Sequence, residues 1–163
     1  MGIRTAGEIR QNIEALAAVC REIDADTLSR APEGRWSPRE ILSHLLGPEE
    51  GYRPLLQAFL EADTPTINIS VENPFLSEAR LAMDAGQLLA ALRAEYEAMA
   101  ARIEGLSEEE LGRTARIPQL KDSPLGEYPT LGALLAGLGT YHLQFHTDHL
   151  REVLADLAAQ KKG

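Results

Sequence analysis

The sequence predicts an all-α protein built as a four-helix bundle. Three observations carry that expectation. Ala, Leu and Glu, all good helix formers, are abundant, while aromatic residues make up only 5%. Runs of β-branched residues are nearly absent. Four segments repeat apolar residues at steps of three and four, the period of a helix with one buried face. The chain has 163 residues, 44% of them hydrophobic. That length and composition suit a single domain, 1–163, with a sizeable core, and argue against disorder.

The first segment runs from about Ala6 to Ile23, with Ile9, Ile13, Leu16, Cys20 and Ile23 as its stripe. The second has a sharp start. Ser37 is placed as N-cap, Pro38 as first helical residue and Glu40 as the third position of a capping box. It continues through Ile41, Leu42 and Leu45 towards Leu55, Phe59 and Leu60, with a kink or break expected at Gly47-Pro48 and Pro54. The third spans about Glu78 to Glu104 and should bury Ala85, Leu89, Leu92, Tyr96, Met99 and Ile103. The fourth spans about Thr130 to Ala159, with Leu131, Leu135, Leu138, Leu150, Val153 and Leu157 inward and Lys161-Lys162-Gly163 as a loose tail. Between them lie two long connections, Asp63–Ser77 and Leu106–Pro129; Ser107 with Glu108–Glu110 can start a short helical turn in the second. Simple up-and-down bundles manage with short turns, so the long connections imply crossovers and can cover a site.

Charge excludes some functions. Sixteen basic residues against 25 acidic ones leave a net charge of −9. Such a surface repels phosphate backbones and anionic membranes, so no nucleic acid and no membrane is expected as partner. Tyr128 to Thr147 contains no Asp, Glu, Lys or Arg, yet its glycines and two histidines suit a buried helix better than a membrane span. Cys20 is the single cysteine, so an internal disulfide is impossible. A reducing cytoplasmic setting fits, and the N-terminus lacks the apolar core of a signal peptide. Within the helix stripe, Cys20 reads as a small core residue rather than a reactive thiol.

The chemistry rests on histidine. His142, His146 and His149 stand at spacings that put them on one helix face, continuing the leucine stripe into the bundle. His44 occupies the inward sector of the second helix. Several buried imidazoles without partners are costly to desolvate. A divalent cation resolves that cost, because neutral imidazole is a good ligand for zinc, nickel, copper or iron. An i, i+4 pair on one helix with a third histidine from a facing helix leaves at least one coordination position open. A hydrogen-bonded polar cluster is the alternative. His149 is open between fourth ligand, neighbour of a ligand and proton carrier. Glu40 can orient His44 or serve only as the capping-box glutamate. Asp148 and Asp156 fall off the face and read as solvated. No phosphate loop, G-x-S-x-G or C-x-x-C is present, and Ser43 and Thr140 diverge from the neighbouring histidines on their helices, so no serine triad forms.

Two motifs resemble those of a known family. Trp36-Ser37-Pro38-Arg39-Glu40-Ile41-Leu42-Ser43-His44-Leu45 is similar to the W-S-x-x-E-x-x-x-H-L signature of the DinB-like family. Tyr128-Pro129-Thr130-Leu131, followed by His142-x-x-x-His146-x-x-His149-Leu150, resembles its closing segment, usually H-x-x-x-H-x-x-Q. Order and spacing match over nearly the whole chain. The resemblance implies an up-down-down-up bundle, often dimeric, with metal ligands at His44, His142 and His146. It implies a thiol S-transferase using bacillithiol, or a relative of mycothiol-dependent enzymes such as maleylpyruvate isomerase. His149 stands where the family usually has glutamine.

Three functions follow as expectations. The first is a metal-dependent transferase, with zinc or nickel activating a low-molecular-weight thiol such as bacillithiol towards an electrophilic small molecule. The second is a metal-dependent hydrolase with His149 as catalytic proton carrier. The third is a stress-related binding protein with a vestigial site. A homodimer is the expected assembly.

Overall fold

Ser37, Pro38 and Glu40 do start a helix, and the rest of the bundle is arranged around it. A computed structural model describes all 163 residues. The Ser37 hydroxyl accepts from the Glu40 amide, and the Glu40 carboxylate accepts from the Ser37 amide, which completes the box. In chain order the helices are α1 (Gly2–Cys20), α2 (Ala25–Leu28), α3 (Pro38–Leu46), α4 (Arg53–Glu61), α5 (Glu78–Ala82), α6 (Ala85–Glu104), α7 (Glu108–Leu111), α8 (Leu131–Ala136) and α9 (Leu143–Lys162). A 3₁₀ turn lies at Pro118–Leu120, and a π-helical segment, Gly137–His142, joins α8 to α9.

The bundle has α1, α3, α6 and α9 at its centre, each of α1 and α3 packing on both α6 and α9. Side-chain pairings give the directions. Arg10 meets Glu97 and Glu104 while Glu14 meets Arg93, so α1 and α6 run antiparallel. Asn12 reaches Gln144 and Asp24 meets Lys161, so α1 and α9 run parallel. Arg35 meets Glu152 and Asp156 while His44 meets His142, so α3 opposes α9. This is the up-down-down-up order the resemblance implies. No strand forms; of two isolated bridges, Thr66 with Arg116 joins the two long connections and Thr114 with Thr130 closes the second on itself.

Three of the four segments have boundaries that differ from the sequence reading, each for a local reason, and the second breaks where it was expected to. The first helix begins at Gly2 and ends at Cys20, because Asp24 instead caps the short α2 through the Thr27 amide. The second breaks after Leu46, as Gly47-Pro48 and Pro54 predict: Gly47 takes a left-handed φ of 72°, and Arg53-Pro54 opens a new helix. The third breaks at Met83 because Asp84 and Gln87 form a capping box of their own. That start buries Leu88, whereas Ala85 and Leu89 are only half-buried. The fourth contains the π segment and stays helical to Lys162, so the expected loose tail is largely helix. Leu138 is half-buried there, and Tyr128, Tyr141 and Phe145 are exposed, so the uncharged stretch has a wet side. No helix is long and apolar enough to cross a membrane.

Cys20 lies in the core as the stripe predicts, and burial pushes its thiol up to about 11, which keeps it protonated at neutral pH. The π segment is anchored on α1. The Asn12 amide donates to the Gly139 carbonyl at 3.1 Å, and Gly139 lies against Ile9. A Cβ at Gly139 would fall inside the contact distance of the fully buried Ile9 side chain. Gly139→Ala should therefore destabilise the protein by about 1–3 kcal/mol despite alanine's better helix propensity. Urea unfolding at 25 °C measures it; an unchanged or raised midpoint would refute the packing role.

Candidate metal centre

Because α3 opposes α9, the last turn of α3 faces the first turn of α9. That apposition places His44 across from His142 and His146. The ring centroids of the three stand 4.5 to 4.9 Å apart. One nitrogen from each lies within 4.8 Å of the others. His44 Nε2 and His142 Nε2 are 2.9 Å apart. Two imidazoles bound to one tetrahedral zinc put their nitrogens roughly 3.3 Å apart, so the cluster is already close to a coordination edge.

The far nitrogens differ in their surroundings. The Nδ1 of His44 donates to the Asn73 carbonyl at 2.7 Å. A carbonyl only accepts, so this bond fixes the proton on Nδ1 and leaves Nε2 as a bare lone pair. The Nδ1 of His146 faces the Nδ1 of His149 at 3.3 Å, leaving its Nε2 for the cluster. The Nδ1 of His142 is buried with no hydrogen-bond partner. The fit to a divalent ion rests on the near nitrogens: the bare Nε2 lone pair of His44 faces His142 Nε2, with a His146 nitrogen beside them, and three neutral imidazoles so converged form a ligand set.

All four imidazoles are held neutral. Burial lowers His44 from its ordinary value. Burial, then the nearby His44, lowers His142 to about 4. Burial, then His142, His44 and His149, lowers His146 to about 3. Burial and then Arg35 lower His149. Neutral imidazole is the ligand form.

A cavity of about 740 Å³ opens beside the cluster, with Trp36, Glu72, Phe145, His146, His149 and Glu152 among its walls. Of the three clustered histidines, only His146 borders it. The Trp36 ring lies 5.0 Å from His44 and stacks nearly parallel to His146 at 6.4 Å. Arg35 at the rim is bound by Glu152 and Asp156 at 2.9 and 2.7 Å, so its charge is already met.

The structure thus brings together His44, His142, His146 and His149, the four histidines singled out from the sequence. Glu40 does not orient His44; it is engaged in the capping box, and the Asn73 carbonyl holds the imidazole instead. Asp148 and Asp156 pair with Arg151 and Arg35 at the surface, as their position off the face predicts. Sequence reasoning missed Asn73, Phe75 and Arg80. A backbone carbonyl carries no side-chain signal. Arg80 bonds backbone carbonyls at the end of α3, which leave no side-chain signal either.

An up-down-down-up bundle with an all-imidazole cluster beside an open cavity defines a class of helical proteins with a candidate metal centre. The chain belongs to the DinB superfamily, whose family model matches residues 8–157. Among solved structures it is similar to YfiT from Bacillus subtilis, at 18% identity and a TM-score of 0.74, over 96% of this chain and 87% of that one. That protein is described as "a probable metal-dependent hydrolase with an unusual four-helix bundle topology". At this identity the likeness establishes the fold. No curated protein matches the chain.

The depressed histidines give a pH signature. In the unfolded chain each titrates near 6.5; folded, His142 and His146 hold out to about 4 and 3. Their neutral-state contribution is complete above about pH 6.5 and is lost as pH falls through the folded values. The melting temperature of chelator-treated protein should fall between pH 6.5 and 4. The fall should be shallower in His142→Phe/His146→Phe. Parallel curves for the two proteins would contradict the assignment.

Proposed function

We propose that His44, His142 and His146 hold one divalent ion, zinc or nickel, in a metal-dependent enzyme. The observation that carries this reading is the convergence of three neutral imidazoles beside a cavity, with no carboxylate or thiolate in the donor set. We infer further that it transfers a low-molecular-weight thiol, such as bacillithiol, to an electrophilic small molecule. The ion would supply the Lewis acidity that makes a thiolate available at neutral pH. The chain's own residues do the rest. Cys20 is buried and protonated, so the protein brings no competing thiol. Trp36 and Phe145 wall the approach with apolar surface, which limits water near a nucleophile. His149 borders the cavity and touches His146, which suits it to carry a proton between the site and solvent. The assembly we propose is a homodimer, which is what the family resemblance implies.

A second reading is hydrolysis, with water activated in place of a thiol. The description of YfiT favours it, and so does His149, since proton removal matters more for water than for a thiol. A vestigial site in a binding protein is the third.

The expected outcome is one equivalent of zinc or nickel per chain by elemental analysis, and loss of that metal in His44→Ala. Metal at a hundredfold excess over Kd should stabilise the parent by about 2.7 kcal/mol and leave His44→Ala unmoved. Metal-free parent protein after expression in supplemented medium would support the vestigial reading. With metal bound, thiol consumption in the presence of an electrophile marks the transferase. Turnover of an ester or amide panel without thiol marks the hydrolase. In either assay His149→Gln should keep the metal and slow turnover by about 100–10,000-fold.

A further inference from the structure

Arg80 is among the most deeply buried charged side chains in the protein, with 7% of its surface exposed, and no carboxylate lies within ion-pairing distance of it. Its guanidinium spends its donors on backbone carbonyls. Nη1 donates to Ser43 O at 3.2 Å, Gly47 O at 2.5 Å and Phe75 O at 3.0 Å, and Nη2 donates to Pro48 O at 3.2 Å. Nη1 also lies 3.3 Å from the Ser43 hydroxyl. Two structural pieces meet at this one cation. The first is the C-terminal end of α3, the helix that carries His44. The second is the segment Asn73–Phe75.

That segment is the other half of the His44 environment. Asn73 supplies the carbonyl that takes the His44 Nδ1 proton, and its side chain accepts from the Phe75 amide at 2.8 Å. The Phe75 ring stacks on the His44 imidazole at 6.3 Å. Phe75 sits at φ 51°, a left-handed conformation that a bulky residue adopts only when its surroundings enforce it. The Phe75 carbonyl is bound from two sides, by Arg80 and by the Ser43 hydroxyl at 3.1 Å. A plain cap on α3 would need only the Ser43, Gly47 and Pro48 carbonyls. The bond to Phe75 is what ties the helix end to the segment that reads the His44 proton.

We propose that Arg80 is a positioning residue for His44. It locks the end of α3 to Asn73–Phe75, so that the proton stays on Nδ1 and Nε2 is presented to the cluster. This rests on the reading of His44 as a metal ligand, but the tautomer it requires exists without metal, and that separates the two tests.

The first readout is nitrogen-15 correlation spectroscopy of the imidazoles in metal-free protein at neutral pH. The parent should show His44 as a single Nδ1–H tautomer. Arg80→Met should show it as a mixture of tautomers. The second readout is competition with a chromophoric chelator for zinc. Arg80→Met should bind about 10–100-fold more weakly, with Arg80→Lys between it and the parent. Should Arg80→Met fail to fold, Arg80→Lys carries the same comparison. A merely structural role lowers the melting temperature and moves neither readout. A folded Arg80 variant with His44 still wholly Nδ1–H overturns the proposal, even if the parent binds no metal. Zinc affinity within twofold of a metal-binding parent overturns it equally.

Discussion

Three imidazoles packed edge to edge, walled by Trp36, Phe75 and Phe145, set the terms for everything around them. A charge on any of them would be buried beside the other two, and the low pKa values of His142 and His146 express that cost. Kept neutral, each ring has one donor and one acceptor nitrogen, and each must be told which is which. His44 is told by Asn73 and His146 is engaged by His149, while His142 keeps an unpartnered Nδ1. Lone pairs converging on one point do not stabilise a fold by themselves. The surrounding bundle must hold them there.

The end of α3 shows how that is done. A helix of nine residues leaves its last carbonyls unsatisfied, and here they are buried. The Gly47 amide bonds the His44 carbonyl. The hydroxyls of Tyr96 and Tyr52 donate to the Leu45 carbonyl at 3.0 and 3.3 Å. Arg80 takes Ser43, Gly47 and Pro48. Tyr52 ahead of α4, Arg80 of α5 and Tyr96 of α6 are thus committed to fixing one short helix at the turn that carries His44. On the opposite side the π segment ends on His142, and Gly139 lets it sit tightly on Ile9. Widened turns of this type recur at functional sites, where they re-aim the residues that follow.

What was legible in the sequence follows from which interactions are local. The capping box at Ser37 and Glu40, the stripe through Ile9 and Leu16 and the spacing of His142 and His146 depend on neighbours within a few residues, and the structure matches them. The opposition of α3 and α9 is a long-range fact; the resemblance supplied the topology that implies it, whereas periodicity alone did not. The break before Asp84 was legible in principle, since Asp84 with Gln87 is as good a box as Ser37 with Glu40, but an uninterrupted apolar pattern masked it. The Asn73 carbonyl and the grip of Arg80 on backbone atoms had no side-chain code to read. Trp36, seen at first only as part of a motif, turned out to be a wall shared by the cluster and the cavity.

Charge places a final constraint on what reaches the site. The chain carries −9 overall, and Glu72, Asp148 and Glu152 line the cavity while its one guanidinium, Arg35, is already met by carboxylates. Such a field draws divalent cations inward and slows anions. It would therefore assist metal loading of an all-imidazole cluster, which has no negative charge of its own. It also limits the thiol reading. A thiol carrier with several carboxylates would have to keep them in solvent at the cavity mouth and send only its sulfur past Trp36 and Phe145. A neutral or cationic electrophile meets no such barrier, and the apolar rings offer it a surface to lie against. On the thiol reading, the geometry would thus ask more of the nucleophile's carrier than of its target.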